Sequence, residues 1–336
     1  MSTTTIQDEI NQVYSTQESN QFGTQRYELM FEPGTYDVTV PVGFYTEVVG
    51  LGQSPTQTVI TGGGIYTDAS WNGGNATENF WRDVENITID PSSGSTEWAA
   101  SQAAPLRRVD IVGNAVLADN NGWASGGFIG DSVVTGQVNS ETQQQYISRN
   151  DQYGSWTSSS WNMVFVGDIG VPAQSFPSPP DTTVSSTPAI AEKPYPYIDS
   201  SGNWDVFVPG DRTNAQGTSW SGGNTPGTSL PISDFYIATP SSTVVQISGL
   251  GGELPVDRAH SDAGVVRDVV ERRPHAPVAE HLARRGQDAP QVALGVLAQS
   301  RRRRLPGVHS HSTILATRSG GKHIRGDEMI RPSAGP

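Results

Sequence analysis

The chain has 336 residues, 35% of them hydrophobic, and no cysteine, which excludes disulfides and thiolate metal sites. Residues 1–248 carry 25 acids and 7 bases, whereas residues 249–336 carry 9 acids and 14 bases. A body with this acidic balance lacks the basic face that phosphates require, so we expect no nucleic-acid partner. The chain contains no apolar run of 18 residues, so we expect no membrane span.

The first predicted element is a helix. Ile6, Ile10 and Val13 fall on one helical face, with Thr5 or a neighbour as the N-cap. The strands predicted next are residues 27–31, 48–52 and 58–60. We expect the helix to cover the open end of a stack of strands, because a bare strand edge invites unwanted pairing.

A strand-and-turn unit then recurs along the chain. Its copies start at residues 81, 106, 128, 146 and 163, at intervals of 25, 22, 18 and 17 residues. These intervals suit the coils of a parallel β-helix with about three short strands per coil. The predicted fold class is therefore all-β, a right-handed parallel β-helix with an N-terminal capping helix. Asn86 and Asn150 are interpreted as turn and ladder residues rather than catalysts.

Composition divides the chain into three predicted segments. The first contains the cap and the coils, the second is a proline-rich excursion, and the third is a tail. Their bounds are residues 1–170, 171–247 and 248–336. Within the excursion we predict a small hairpin from residues 197–199 and 204–208. Its last residues, 241–247, echo residues 2–7 and predict the start of a second cap.

The tail differs from the body in composition. It contains all six histidines and no Trp, Tyr or Phe, so it has poor material for a core. We expect it to be irregular or partly helical, with one helix from Ser261 to Pro274. Three interpretations of the tail are open. It could be a natural disordered extension or an arm that binds nucleic acid or another anionic surface, but out-of-frame translation of a truncated gene is favoured. His309 and His311 are for that reason rejected as a metal site, and we predict neither a metal nor a cofactor.

Several short motifs occur in an order that resembles one family. They are F-x-P-G-T-Y (31–36), V-x-G-x-G (48–52), N-F-W-R (79–82), V-E-N (84–86), S-Q-A-A-P-L-R-R (101–108), A-S-G-G-F (124–128) and Q-Q-Q (143–145). This order resembles the pectate-lyase-like β-helix superfamily and, within it, bacterial relatives of family-55 glycoside hydrolases that act on β-1,3-glucans. The resemblance implies a double β-helix with the substrate cleft between its halves, and this chain would supply the first half. It also places the expected proton donor in the second half. Some such sequences are labelled adenylyl cyclase, but no phosphate-cradling glycine loop supports that activity here.

Two kinds of side chain are candidates for a carbohydrate site. Glycoside cleavage usually needs two carboxyl groups facing each other across the scissile bond. The weak catalytic candidates are Asp83, Glu85, Asp110, Asp131, Glu141, Asp151 and Asp168. Their spacing selects no pair, so the catalytic residues stay unknown. The candidates for substrate binding, in loops where rings and amides can meet a sugar, are Trp71, Trp98, Trp123, Trp156, Trp161, Gln143 and Gln145. The alternative, that each ring packs against a coil edge instead of a sugar, stays open. For residues 143–145 we favour a stacked ladder of side-chain amides over sugar binding.

We expect an extracellular protein whose partner is a polysaccharide or oligosaccharide and whose signal peptide is missing from this sequence. The family role is hydrolysis of a neutral β-1,3-glucan by a carboxylate acid/base pair, and this chain is expected to be truncated and inactive. A non-catalytic glycan-binding or structural β-helix is the first alternative. A polysaccharide lyase ranks lower, because an acidic body repels a polyuronate. We also expect self-association through an exposed coil edge near residue 170 or 240.

Overall fold

The computed structural model describes residues 2–223, 225–235 and 245–247. Within these residues the chain is an all-β parallel solenoid of about eight turns with a single helix at its N-terminus, which confirms the predicted fold class. The described helices include none that is long and apolar enough to cross a membrane.

Each full coil has three faces, called A, B and C here. Face A is a continuous parallel sheet. Its strands are β1 (Tyr27–Phe31), β3 (Thr46–Gly50), the first halves of β5 (Arg82–Ile89) and β7 (Pro105–Ile111), β9 (Phe128–Gly130), β11 (Gln145–Arg149), β13 (Asn162–Val166) and β14 (Asp181–Val184). The starts of the five predicted units agree with β5, β7, β9, β11 and β13 to within one residue, because the alternation of apolar residues marks each strand.

Faces B and C use the remaining strands of the solenoid. These strands are β2 (Gly34–Pro41), β4 (Thr58–Tyr66), β6 (Ser95–Glu97), β8 (Asn114–Val116), β10 (Val133–Asn139) and β12 (Gln152–Thr157). Face B contains the first halves of β2, β4, β10 and β12 together with the second halves of β5 and β7. Face C contains the second halves of β2, β4, β10 and β12 together with β6 and β8. Several long strands therefore bend and serve two faces.

The helix α1 (Thr3–Gln17) covers the N-terminal end of the solenoid. Ser2 is its N-cap and accepts a hydrogen bond from Thr5 N, so Thr5 lies inside the helix rather than at the predicted cap position. The side-chain amide of Gln7 exchanges two hydrogen bonds of 2.8 Å with the backbone of Thr39, as a neighbouring strand would. The Gln17 side-chain amide donates to Phe44 O at 2.6 Å, and Phe44 N donates to the main-chain carbonyl of Gln17 at 2.8 Å. The helix thus covers this end of the solenoid and satisfies backbone groups of Thr39 and Phe44, as predicted.

The core is built from inward residues that stack from coil to coil. On face A, one such column is in register across five strands and is at most 1% exposed: Leu29, Val48, Val84, Leu106 and Ile129. At about 25 cal/mol per Å2 of buried apolar surface, such columns are the main stabilising contribution. The predicted inward helix residues, Ile6, Ile10 and Val13, are buried in the same hydrophobic core.

Several coils turn their corners with left-handed residues. Tyr45, Trp81 and Ala103 have φ values of 52–54° at the bend that leads into face A, called the first bend here. Four residues have φ values of 53–58° at the bend that leads out of face A, called the second bend: Asn86, Arg108, Asp131 and Asn150. Asn86 and Asn150 are thus at the turn positions predicted for them, where their side chains tolerate this backbone conformation.

The excursion after β13 folds back along the solenoid. β15 (Thr187–Ile190) pairs with β18 (Arg212–Ala215), and β17 (Trp204–Pro209) pairs with both β16 (Tyr195–Ile198) and β19 (Gly227–Pro231). β16 and β17 form the predicted hairpin, and Ile198 N donates to Leu51 O of the solenoid at 2.8 Å. Short 3-10 helices lie at Pro55–Gln57, Ser70–Asn72, Ala76–Glu78 and Ile232–Asp234.

Two predictions fall at the margin of the described residues. In the predicted second cap, residues 245–247 form a strand, β20 (Val245–Ile247), beside β1, and residues 241–244 lie outside the described part. The predictions for residues 248–336 also lie outside it. Among the described residues β14 pairs with β13 alone, so self-association through this edge stays a prediction.

Candidate functional site

A group of carboxylates lies on the outer surface of face A. Glu28 of β1, Glu47 of β3 and Asp83 of β5 occupy one register position on adjacent strands. Glu85 follows two residues after Asp83 and therefore points to the same side. We call these four residues the acidic cluster. Two of the seven catalytic candidates, Asp83 and Glu85, belong to this cluster. The structure adds Glu47 and Glu28, which sequence analysis missed because the pairing of distant strands is not visible in the sequence.

Two basic side chains lie against one member of the acidic cluster. Lys193 Nζ lies 2.7 Å from Glu85 Oε1 and 4.0 Å from Glu47 Oε1. Arg107 Nε lies 3.4 Å from the same Glu85 oxygen. One carboxylate oxygen each of Glu47, Asp83 and Glu85 lies within 4.8 Å of the others, so these three residues are the described group that could hold a metal ion.

Burial and mutual repulsion shift the ionisation of the cluster. Burial and the Glu47 carboxylate raise the pKa of Glu28 to about 8. Burial and Glu85 raise the pKa of Glu47 to about 7, and the same causes raise the pKa of Asp83 well above its ordinary value. Burial alone would lower the pKa of Lys193, but the surrounding carboxylates raise it overall, so this lysine stays protonated.

The crevice beside Glu85 is too small for a sugar. This crevice, lined by Glu85, Arg107, Tyr195 and other residues of face A and the excursion, has a cavity volume of about 10 Å3. That is room for about one water molecule. Lys193 and Tyr195 of the excursion also line the crevice.

Three of the other catalytic candidates connect one coil to the next. Asp131 accepts hydrogen bonds from Ser219 and lies 3.5 Å from the Arg108 guanidinium. Asp151 accepts from Ser132 N at 2.7 Å, and Asp168 in turn accepts from Asp151 N at 2.7 Å. Their oxygens are thus used by neighbouring backbone and side-chain groups, which is a structural arrangement.

The remaining two carboxylates lie away from the acidic cluster. Asp110 lies on face B, where burial and the nearby Asp90 raise its pKa. Glu141 accepts a hydrogen bond from Asn121 N at 2.8 Å and braces the loop of the preceding coil.

Three of the predicted substrate-binding residues are corrected to core residues. Trp98 is 0% exposed and donates its indole N–H to Ala104 O at 3.0 Å. Trp156 is 6% exposed and packs edge-on against Phe165. Gln143 is 0% exposed, and its amide donates to carbonyls of two earlier coils rather than joining a ladder. A ligand arriving from solvent cannot reach these side chains.

The other predicted residues are accessible to different degrees. Trp123 and Trp161 are 68% and 61% exposed in the loops that precede face A. Gln145 is exposed and donates to Ser125 Oγ at 3.3 Å. Trp71 is half-buried, and its ring packs edge-on against Phe44 at 5.6 Å.

Sequence analysis missed two aromatic residues at the first bend. The rings of Tyr45 and Trp81 stack at 5.2 Å with an angle of 9° between their planes, and the Arg26 guanidinium lies 3.3 Å from the Tyr45 centroid. Trp81 is 41% exposed. Its place in the N-F-W-R motif directly before β5 was the available signal. Because Tyr45 and Trp81 directly precede β3 and β5, they lie two residues from Glu47 and Asp83 in the chain.

The exposed side chains that lead into face A form a surface that a sugar can reach. We call it the bend surface, and its members are the exposed Trp81, Trp123, Gln145 and Trp161 together with the half-buried Tyr45 that stacks on Trp81. Flat, exposed rings with nearby amides and carboxylates are suited to stacking on sugar faces and bonding sugar hydroxyls.

Known proteins show what this arrangement is similar to. The chain is 49% identical over 249 residues to an exo-β-1,3-glucanase from Streptomyces sp. (strain SirexAA-E / ActE). The aligned region covers 74% of this chain and 41% of that enzyme. The solved structure of sacteLam55A from Streptomyces sp. SirexAA-E matches 71% of this chain and 43% of that chain, with a TM-score of 0.68 and 49% identity. A glutamate-to-alanine variant of sacteLam55A in complex with glucose matches at a TM-score of 0.68 and 50% identity, with the same coverage. No protein-family model matches the chain.

The chain spans less than half the length of these relatives, and the matching part is their N-terminal half. The resemblance carried by the sequence motifs is therefore confirmed. This chain is homologous to the N-terminal half of a family-55 exo-β-1,3-glucanase.

Proposed function

We propose that this chain is the glucan-binding half of an extracellular β-1,3-glucan hydrolase. The observation that carries this proposal is the identity of 49% over 249 residues with an exo-β-1,3-glucanase. A solved relative in complex with glucose supports a sugar ligand. The bend surface offers exposed rings where a glucan chain can stack.

The charge of the protein favours a neutral glycan. Residues 1–248 have 18 more acids than bases, and the acidic cluster adds a local concentration of carboxylates on face A. A neutral glucan is indifferent to this field, whereas a polyuronate is repelled by it. A lyase acting on acidic sugars is for this reason not proposed.

We propose that the chain by itself does not hydrolyse glucan. Glycosidase carboxylates face each other about 5–9.5 Å apart with the scissile bond between them. In the acidic cluster, one oxygen each of Glu47, Asp83 and Glu85 lies within 4.8 Å of the others on one surface. Lys193 Nζ lies 2.7 Å from Glu85 Oε1. The cluster is therefore not a facing acid/base pair. A proton donor from the second half of the family's double β-helix would complete the site.

Binding and release of reducing sugar, both measured with laminarin, test this proposal. We expect the whole chain to bind laminarin in a calorimetric titration and to release no glucose, while polygalacturonate does not bind. Glucose release would place a complete catalytic pair in this chain and contradict the proposed division. An absence of laminarin binding would overturn glucan binding and favour a purely structural β-helix.

A further inference from the structure

In its ionised form the acidic cluster carries more negative charge than its basic neighbours neutralise. It contains four carboxyl groups, and the basic side chains in contact with it are Lys193 and Arg107. Both of these contact the same atom, Glu85 Oε1. When all four carboxyl groups are ionised, these two cations leave two negative charges without a basic partner.

Two oxygens of the cluster have no protein partner. Glu28 is 4% exposed, yet its Oε2 accepts no hydrogen bond from any described residue. The same is true of the buried Oδ1 of Asp83. Because a buried carboxylate oxygen without a partner costs free energy, these atoms call for a bound cation or a proton.

The arrangement of the oxygens suits a hard divalent cation. Oxygens of Glu47, Asp83 and Glu85 lie within 4.8 Å of one another. Ca2+ binds oxygens at about 2.3–2.6 Å, so two oxygens across one ion are up to about 5 Å apart. The ligand set contains carboxylates alone, and such oxygen donors favour Ca2+ over softer metals.

We propose that the acidic cluster binds one Ca2+ ion, with Glu47, Asp83 and Glu85 as ligands and Glu28 as a neighbouring charge. Lys193 and Arg107 use Oε1 of Glu85, which leaves Oε2 for the ion. The ion connects β3 to β5 beside Tyr45 and Trp81, so it stabilises the part of face A that borders the bend surface.

Calorimetric titration of the EDTA-treated whole chain with CaCl2 at pH 8.5 tests the site. We expect one ion per chain and a rise in Tm of about 3 °C or more at saturating Ca2+. Glu47→Gln and Asp83→Asn should each weaken Ca2+ binding at least tenfold, because each removes one anionic ligand. Glu97→Gln is the matched control, since Glu97 belongs to a different group of carboxylates with Asp119 and Asp68, and it should bind Ca2+ as the parent does.

Circular dichroism of each variant separates loss of the site from loss of the fold. If the parent chain binds no Ca2+, protons neutralise the cluster and the proposal is wrong. If folded Glu47→Gln and Asp83→Asn bind as tightly as the parent, the ion lies elsewhere and the proposal is also wrong. Laminarin is absent from this experiment, so its outcome is independent of the proposed glucan binding.

Discussion

The two bends that border face A use the same backbone conformation for different purposes. At the second bend the side chains of Asn86, Arg108, Asp131 and Asn150 are 0–5% exposed and hydrogen-bonded. At the first bend the rings of Tyr45 and Trp81 stack on each other, and Trp81 is 41% exposed. Left-handed backbone in a bulky residue is costly, so it persists where the surroundings or a function require it.

The excursion explains much of this difference. It supplies partners to three positions of the second bend: Tyr195 accepts from Arg108, Ser219 donates to Asp131, and Thr187 donates to Asn150. No such contact joins the excursion to Tyr45 or Trp81 among the described residues. The second bend is thus a covered structural seam, whereas the first bend stays open to a ligand.

The largest effect is expected at Asp131. Asp131→Ala leaves the buried Arg108 without its carboxylate and removes the acceptor of Ser219. We expect the free energy of unfolding in urea to fall by about 3–5 kcal/mol, because an unpaired buried charge remains. Arg108→Ala combined with Asp131→Ala should cost less than the sum of the two single changes. A loss below about 1 kcal/mol for Asp131→Ala would show that the seam is not structural.

A smaller loss of stability is expected at Asn86. Asn86→Ala removes the donor to the carbonyls of Gly50 and Gly52 and places alanine at φ 53°. We expect a loss of about 2–4 kcal/mol in urea unfolding from these two causes. Asn86→Gly keeps the backbone conformation at lower cost, so it should be about 1 kcal/mol more stable than Asn86→Ala. Equal stability of the two variants would contradict the role assigned to the left-handed conformation.

Substitutions in the bend surface should lower the affinity for laminarin rather than the free energy of unfolding. Trp161→Ala removes a ring that is 61% exposed. We expect laminarin affinity to fall about tenfold, equivalent to about 1.4 kcal/mol, because a stacking ring is lost. Stability should change by no more than about 0.5 kcal/mol. Phe176→Ala, which removes a 51% exposed ring from the excursion, is the control and should leave laminarin affinity unchanged.

The smallest effect concerns pH. Burial and the neighbouring Asp119 raise the pKa of Glu97 to about 7. The folded state therefore binds the Glu97 carboxyl proton more tightly than the unfolded state does. The stability contributed by the protonated Glu97 is complete below about pH 4.5 and is lost as the pH rises through about 7. We expect Glu97→Gln to narrow the difference in Tm between pH 5 and pH 8 by no more than about 2–4 °C. An unchanged or wider difference would contradict this assignment.

Sequence patterns predicted the coils well because strand alternation and turn chemistry are local. The β5, β7 and β9 starts and the turn positions of Asn86 and Asn150 follow from residues within a few positions of each other. The same reasoning could not identify Arg108 as a turn residue. Its partners lie far away in the sequence, and arginine has no special preference for the left-handed conformation.

The sequence by itself determined the parallel β-helix, its capping helix, its coil intervals and its relation to the family-55 hydrolases. Only the tertiary structure decided which side chains meet a ligand. Trp98 and Trp161 both lie in loops rich in small residues, yet one is 0% and the other 61% exposed. The acidic cluster, likewise, joins residues from three strands. Exposure and clustering depend on the neighbouring coils and on the excursion that packs against them, and these contacts join residues far apart in the chain.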